Sequence, residues 1–141
     1  MRVQVANPAD HPHIADLPFG DRLQSWTLPD MHGVLGLHRH VVRLIELGES
    51  SYVIKELPDR LVAREYGLLR ELADAGLPTA EVVAAVTEKR DGADGMLITR
   101  HLDYSIPYRT LLAGRGLTIP YLGERVLDAL VGLLVRLHLA G

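Results

Sequence analysis

The chain has no cysteine, and of its fifteen basic side chains only Lys55 and Lys89 are lysines. The first absence excludes disulfides, thiolate metal sites and a cysteine nucleophile. The second makes each lysine informative, because an arginine bias alongside abundant Ala, Leu and Gly reflects genome composition more than function. Long apolar runs are missing as well. A bilayer-spanning helix needs about 18 or more such residues, and the most apolar stretch, 129–139, is interrupted by Arg136 and His138. The first residues carry Arg2 but no apolar core of about seven or more residues of the kind that marks an export signal. No membrane partner is expected, and a cytoplasmic setting follows. The net charge of −3 is spread without a basic block, so the electrostatic footprint of a nucleic-acid binder is absent. No G-x-S-x-G marks a serine hydrolase, and no internal repeat is present.

With 141 residues, 48% hydrophobic and 23% charged, the chain is expected to bury one substantial core. Residues 1–25 hold Pro8, Pro12, Pro18 and Gly20 without sustained periodicity and read as an irregular leader. Beyond them β-branched runs take over. Residues 40–47 and 51–57 form the pattern of two antiparallel strands joined at "GES" by a loop of three residues or slightly more. A short strand precedes them in "WTLPDMHGVLGLH". Pro58 ends the strand run, and Asp59 is placed to cap a helix over 60–75, with Gly76 as its stop and Pro78 beyond. Val62, Tyr66, Leu69 and Ala73 share its apolar face, with Leu68 and Leu72 beside it. Residues 80–86 and 95–102 read as two more strands around a polar turn. Helices are expected at 107–113 and 121–139. The order predicts an α+β fold, an antiparallel sheet with one packed helix.

Lys55 lies inside the apolar strand "YVIKEL", where alternation puts it on the face of Val53 and Leu57, while Tyr52, Ile54 and Glu56 take the other. Glu65 stands three residues after Val62 and four before Leu69, at the edge of the helix's buried stripe. Both charges are expected to point inward, and such groups compensate each other if they meet. The alternative is a snorkelling lysine and a surface glutamate.

These residues carry a resemblance. "YVIK" is similar to the strand-lysine motif of protein-kinase-like phosphotransferases, and "AREYGLLRELADAGLPTAEVV" to their helix with its paired glutamate and the following strand. "LLRELADAGLPTAEVV" resembles the aminoglycoside, choline and lipopolysaccharide kinase branches. More narrowly, the chain looks like an uncharacterised, mostly actinobacterial family of unknown function related to lipopolysaccharide kinases. The resemblance implies a kinase-like N-terminal lobe over 26–102, then a hinge and the start of the C-terminal lobe over 103–141. It implies ATP as cofactor, with Lys55 on the α- and β-phosphates and Glu65 holding Lys55. Gly33 and Gly36 would belong to the phosphate-covering loop, short of the full G-x-G-x-x-G. Backbone groups of Arg100, His101 and Leu102 would meet the adenine. Met96 is a candidate inner pocket residue with core packing as the alternative, and Asp103 with Tyr104 a candidate ribose contact.

The last helix ends "LVRLHLAG", where kinase-like proteins continue into a catalytic loop. No H-x-D or H-G-D motif, downstream Asn or D-F-G-like aspartate follows, so the ligands for magnesium are expected in a second lobe and this chain alone is expected not to transfer phosphate. Two explanations stay open: a fragment of a longer kinase acting on a small-molecule or sugar hydroxyl, or a complete interaction module without nucleotide. Either is expected to form a homo-oligomer through the apolar last helix. His11 with His13 and His38 with His40 are spaced to face one way on a strand, as zinc would need. No acidic or thiol ligand stands at a telling spacing, and no metal site is expected there.

Overall fold

The computed structural model describes residues 1–33, 40–102 and 119–140. The chain divides into two compact units, Met1–Leu102 and Asp103–Gly141. In the first, six strands among the described residues form one fully antiparallel sheet: β1 (Arg2–Val5), β2 (Met31–Gly33), β3 (Val42–Leu47), β4 (Ser50–Leu57), β5 (Val82–Thr87) and β6 (Gly95–Arg100), in the spatial order β1-β5-β6-β4-β3-β2. Helix α1 spans Asp59–Asp74.

Side-chain alternation sorts the sheet into two covered faces. On one, Leu57, Val82, Ala85 and Leu97 pack against Val62 and Tyr66 of α1, with Leu61 and Leu69 at the margin. On the other, Ile45, Tyr52, Ile54, Val83, Val86, Met96 and Ile98 lie beneath Ile14, Leu17, Phe19, Leu23 and Trp26. Both faces of β5 are therefore buried, which is why "VVAAV" reads as a continuous apolar run rather than an alternation. A register shift between Val82 and Ala84 lets consecutive Val83 and Ala84 join the same cluster.

The stretch expected to be an irregular leader is a structural layer. Arg2–Val5 pairs with β5 at the sheet edge, and two short 3-10 turns, Pro12–Asp16 and Leu23–Ser25, carry the large apolar residues onto the sheet. Its prolines do not prevent this, because Pro12 occupies the first position of its turn, where no backbone donor is needed.

Local signals resolve unevenly. The β3–β4 loop is Gly48–Glu49, two residues rather than three, with Gly48 at φ 63° as tight hairpins demand. Gly76 ends α1 as expected: its N–H donates to the Ala73 carbonyl and the Leu77 N–H to Leu72, the paired bonds of a Schellman stop. Asp59 does not cap. The helix starts at Asp59 itself after Pro58, and the carboxylate accepts the Glu88 N–H at 2.7 Å instead. Along α1, Leu68 and Ala73 are exposed, so the buried stripe is narrower than the apolar pattern suggests. The second unit contributes α2 (Leu122–Ala140), whose residues Leu122, Val126, Leu130, Leu133 and Leu137 are half-buried while Leu127, Leu134 and Leu139 are exposed. No described helix is long and apolar enough to cross a membrane. The helix expected at 107–113 lies outside the described residues.

Candidate functional site

Lys55 and Glu65 meet. The Lys55 Nζ donates to both carboxylate oxygens of Glu65, at 2.9 and 3.2 Å. The helix starts two residues after β4 ends, and its first two turns carry Glu65 back over the α1 side of the sheet. The pair is half-exposed, 36% for the lysine side chain and 37% for the glutamate, not buried as the sequence pattern suggests. That changes its meaning. An ion pair this wet contributes under about 1 kcal/mol to stability, whereas an accessible ammonium held in one place by a carboxylate retains a free N–H for an external anion.

The neighbours of Lys55 follow from register. Val42 on β3 and Leu97 on β6 stand directly opposite it, and Leu44 and Thr99 stand opposite Val53 two residues before. Val42, Leu44 and Val53 are half-buried, so an apolar strip with partly open side chains leads away from the ammonium on the same face. An anionic group at Lys55 and a flat apolar group on that strip would both find partners.

The other expected site residues divide. Gly33 is the last residue of β2, paired with Arg43, at the start of the connection to β3, and Gly36 lies outside the described residues. Arg100 ends β6. Its N–H donates to the Glu81 carbonyl, the His101 N–H donates to that of Ser51, and Leu102 makes no such bond among the described residues. The Arg100 guanidinium faces Glu81 at 3.6 Å. Met96 belongs to the opposite face, fully buried under the N-terminal layer, and is core rather than pocket. Asp103 and Tyr104 lie outside the described residues. His11, considered with His13, is buried with Nδ1 3.1 Å from the Tyr52 hydroxyl and Nε2 3.2 Å from Glu81, fastening the N-terminal layer to the sheet. Among the described residues no three His, Asp or Glu side chains gather as a metal site would require.

The second lysine, Lys89, lies in the stretch whose sequence predicts a polar turn, yet its side chain is 1% exposed. Its Nζ donates to the Asp21 carbonyl at 2.6 Å and stands 3.9 Å from Glu56 Oε1, which also accepts the Leu23 N–H. Burial lowers the Lys89 pKa from its ordinary value, with Glu56 opposing the shift. The scarcity of lysine was the available signal for this residue too.

No family model matches the chain, and no curated protein matches it. Among solved structures, the fold is similar to that of WaaP, in a complex of WaaP with acyl carrier protein, at 19% identity and a TM-score of 0.56. The match covers 85% of this chain and 48% of that one, so this chain spans about half the length of its structural neighbour. At that identity the likeness concerns the fold alone, and it supports a kinase-like fold.

Proposed function

We propose that the chain is the ATP-binding lobe of a kinase-like phosphotransferase acting on a small-molecule or sugar hydroxyl. One observation carries the reading: in a fold of this kind, a strand lysine and a helix glutamate meet at 2.9 Å on a partly open face. Lys55 would bind the α- and β-phosphates, Glu65 would hold its ammonium in place, and the strip of Val42, Leu44 and Val53 would accept the base. The connection after Gly33, including Gly36, would lie over the phosphates. The segment Arg100–Leu102 would meet the adenine edge, and with the Arg100 and His101 amides engaged within the sheet, the Leu102 amide is the donor left for it. Magnesium supplies charge neutralisation at the phosphates when bound, and its ligands would come from a second lobe. The residues from Asp103 onward would form the hinge and the beginning of that lobe. A compartment rich in Mg-ATP, the cytoplasm, fits this role.

The test is nucleotide titration followed by calorimetry, in wild type, Lys55→Met and Glu65→Gln. Wild type should bind ATP, Lys55→Met should lose at least about tenfold in affinity, and Glu65→Gln should lose less. Melting temperatures should stay close to wild type in both variants, as the pair's exposure dictates. Unchanged affinity in Lys55→Met would remove Lys55 from the site and overturn the reading.

A second reading, a self-associating module without nucleotide, draws on the exposed Leu127, Leu134 and Leu139 of α2. It expects sedimentation to depend on concentration and ATP to have no effect.

A further inference from the structure

The end of β6, where the segment assigned to the adenine edge begins, is held from the reverse side of the sheet. Tyr52 and Arg100 stand opposite each other across β4 and β6, and the Arg100 N–H donates to the carbonyl of Glu81, the residue before β5. The Glu81 carboxylate divides its oxygens between two elements. Oε2 faces the Arg100 guanidinium at 3.6 Å, and Oε1 lies 3.2 Å from His11 Nε2. A carboxylate only accepts, so that ring nitrogen carries the proton. At its other nitrogen His11 meets the Tyr52 hydroxyl at 3.1 Å, with the two rings edge to face. His11 is 3% exposed, while Glu81 and Arg100 are exposed. One end of this chain of contacts is therefore locked in the core, and the other reaches the last residue of the strand.

Stability alone does not explain the Arg100 contact. An exposed ion pair adds little, and Arg100 already has its backbone bond to Glu81. What the carboxylate adds is direction. It ties the Arg100 side chain, whose guanidinium also lies 3.5 Å from Ser50 Oγ, to a buried ring that belongs to the N-terminal layer. Binding sites keep their geometry through such supporting contacts, made by residues that do not touch the ligand. We propose that Glu81, anchored by His11, is a positioning residue for the nucleotide site: it fixes the exit of β6 and with it the Leu102 amide, so the N-terminal layer controls affinity for the base from the opposite face of the sheet. This role presupposes nucleotide at Lys55 and gives it a support that the nucleotide itself would not contact.

Calorimetric titration of the full chain with ATP and with inorganic tripolyphosphate separates the base end of the site from the phosphate end. Glu81→Ala should lower ATP affinity by about threefold or more and leave tripolyphosphate affinity at the wild-type value. Glu81→Gln keeps an acceptor for His11 but not the charge toward Arg100. It should melt near wild type and bind ATP with an affinity between wild type and Glu81→Ala. His11→Asn should reproduce the ATP-selective loss, and the double variant His11→Asn, Glu81→Ala should bind ATP no more weakly than Glu81→Ala, since the ring acts through the carboxylate. Lys55→Met should weaken both ligands. With that effect present, wild-type ATP affinity in Glu81→Ala, an equal loss of both ligands there, or additive losses in the double variant would overturn the positioning role. If Lys55→Met weakens neither ligand, the nucleotide reading fails and the positioning role falls with it.

Discussion

At the residue scale the two lysines answer different needs, and exposure decides which. Lys55 is wet enough that removing it should hardly change stability. Lys89 is buried, and Lys89→Met would leave Glu56 without the ammonium 3.9 Å away, with the Leu23 N–H as its one donor among the described residues, and the Asp21 carbonyl without its lysine donor. Breaking a buried pair from one side costs about 3 kcal/mol or more, so chemical denaturation of Lys89→Met should show a midpoint well below wild type. Adding Glu56→Gln should recover part of the loss by removing the stranded charge. The pH dependence has a definite sign. A lysine whose folded pKa is lowered binds fewer protons when folded, so its contribution is fully present above the unfolded value of 10.5 and is lost as pH falls through the folded value. Wild-type stability relative to Lys89→Met should therefore rise as pH approaches 10.5, and a flat difference would remove Lys89 from the buried cluster.

At the element scale, strands and the main helix were legible because their signals are local. Alternation in "YVIKEL" put Lys55 and Leu57 on one face and Tyr52, Ile54 and Glu56 on the other, and Gly76 marked the helix end through backbone geometry that few other residues adopt. The meeting of Lys55 and Glu65 was legible for a similar reason, since a short strand-to-helix connection leaves little freedom. The N-terminal layer was not legible, because 3-10 turns have no hydrophobic period and Ile14, Leu17, Phe19, Leu23 and Trp26 fit neither a helix nor a strand. Nor could the sequence show that Asp59 would reach Glu88 instead of capping, which requires a residue 29 positions away. That contact explains Gly95, where a Cβ would lie 2.6 Å from the Asp59 carboxylate and against the Val86 carbonyl. Both neighbours are fixed, the first by its bond to Glu88 and the second within β5, so Gly95→Ala should cost about 1–3 kcal/mol. Gly67→Ala on the helix, where a Cβ meets open space, should instead stabilise by about 0.5–1 kcal/mol. Thermal melts of the two variants should move in opposite directions.

For the whole molecule, the distribution of the core sets which parts can be removed. Every described member of both apolar clusters lies within residues 5–98. The N-terminal layer supplies five large side chains to that core, and burying each contributes about 1.5–3 kcal/mol of transfer free energy. Together they rival the net stability of about 5–15 kcal/mol that a domain possesses. Their loss would expose the whole face of Ile45, Ile54, Met96 and Ile98 and leave Glu56 and Lys89 without Leu23 and Asp21. A chain beginning at residue 27 should therefore fail to unfold cooperatively and should bind a hydrophobic dye at room temperature. A chain ending at residue 102 keeps both clusters and should retain a single cooperative transition near that of the full chain. The layer covers most of the reverse face with its own residues, while the side that carries Lys55 keeps the half-buried strip of Val42, Leu44 and Val53. If the shorter N-terminal variant melted like wild type, the packing of residues 14–26 would contribute nothing to the fold.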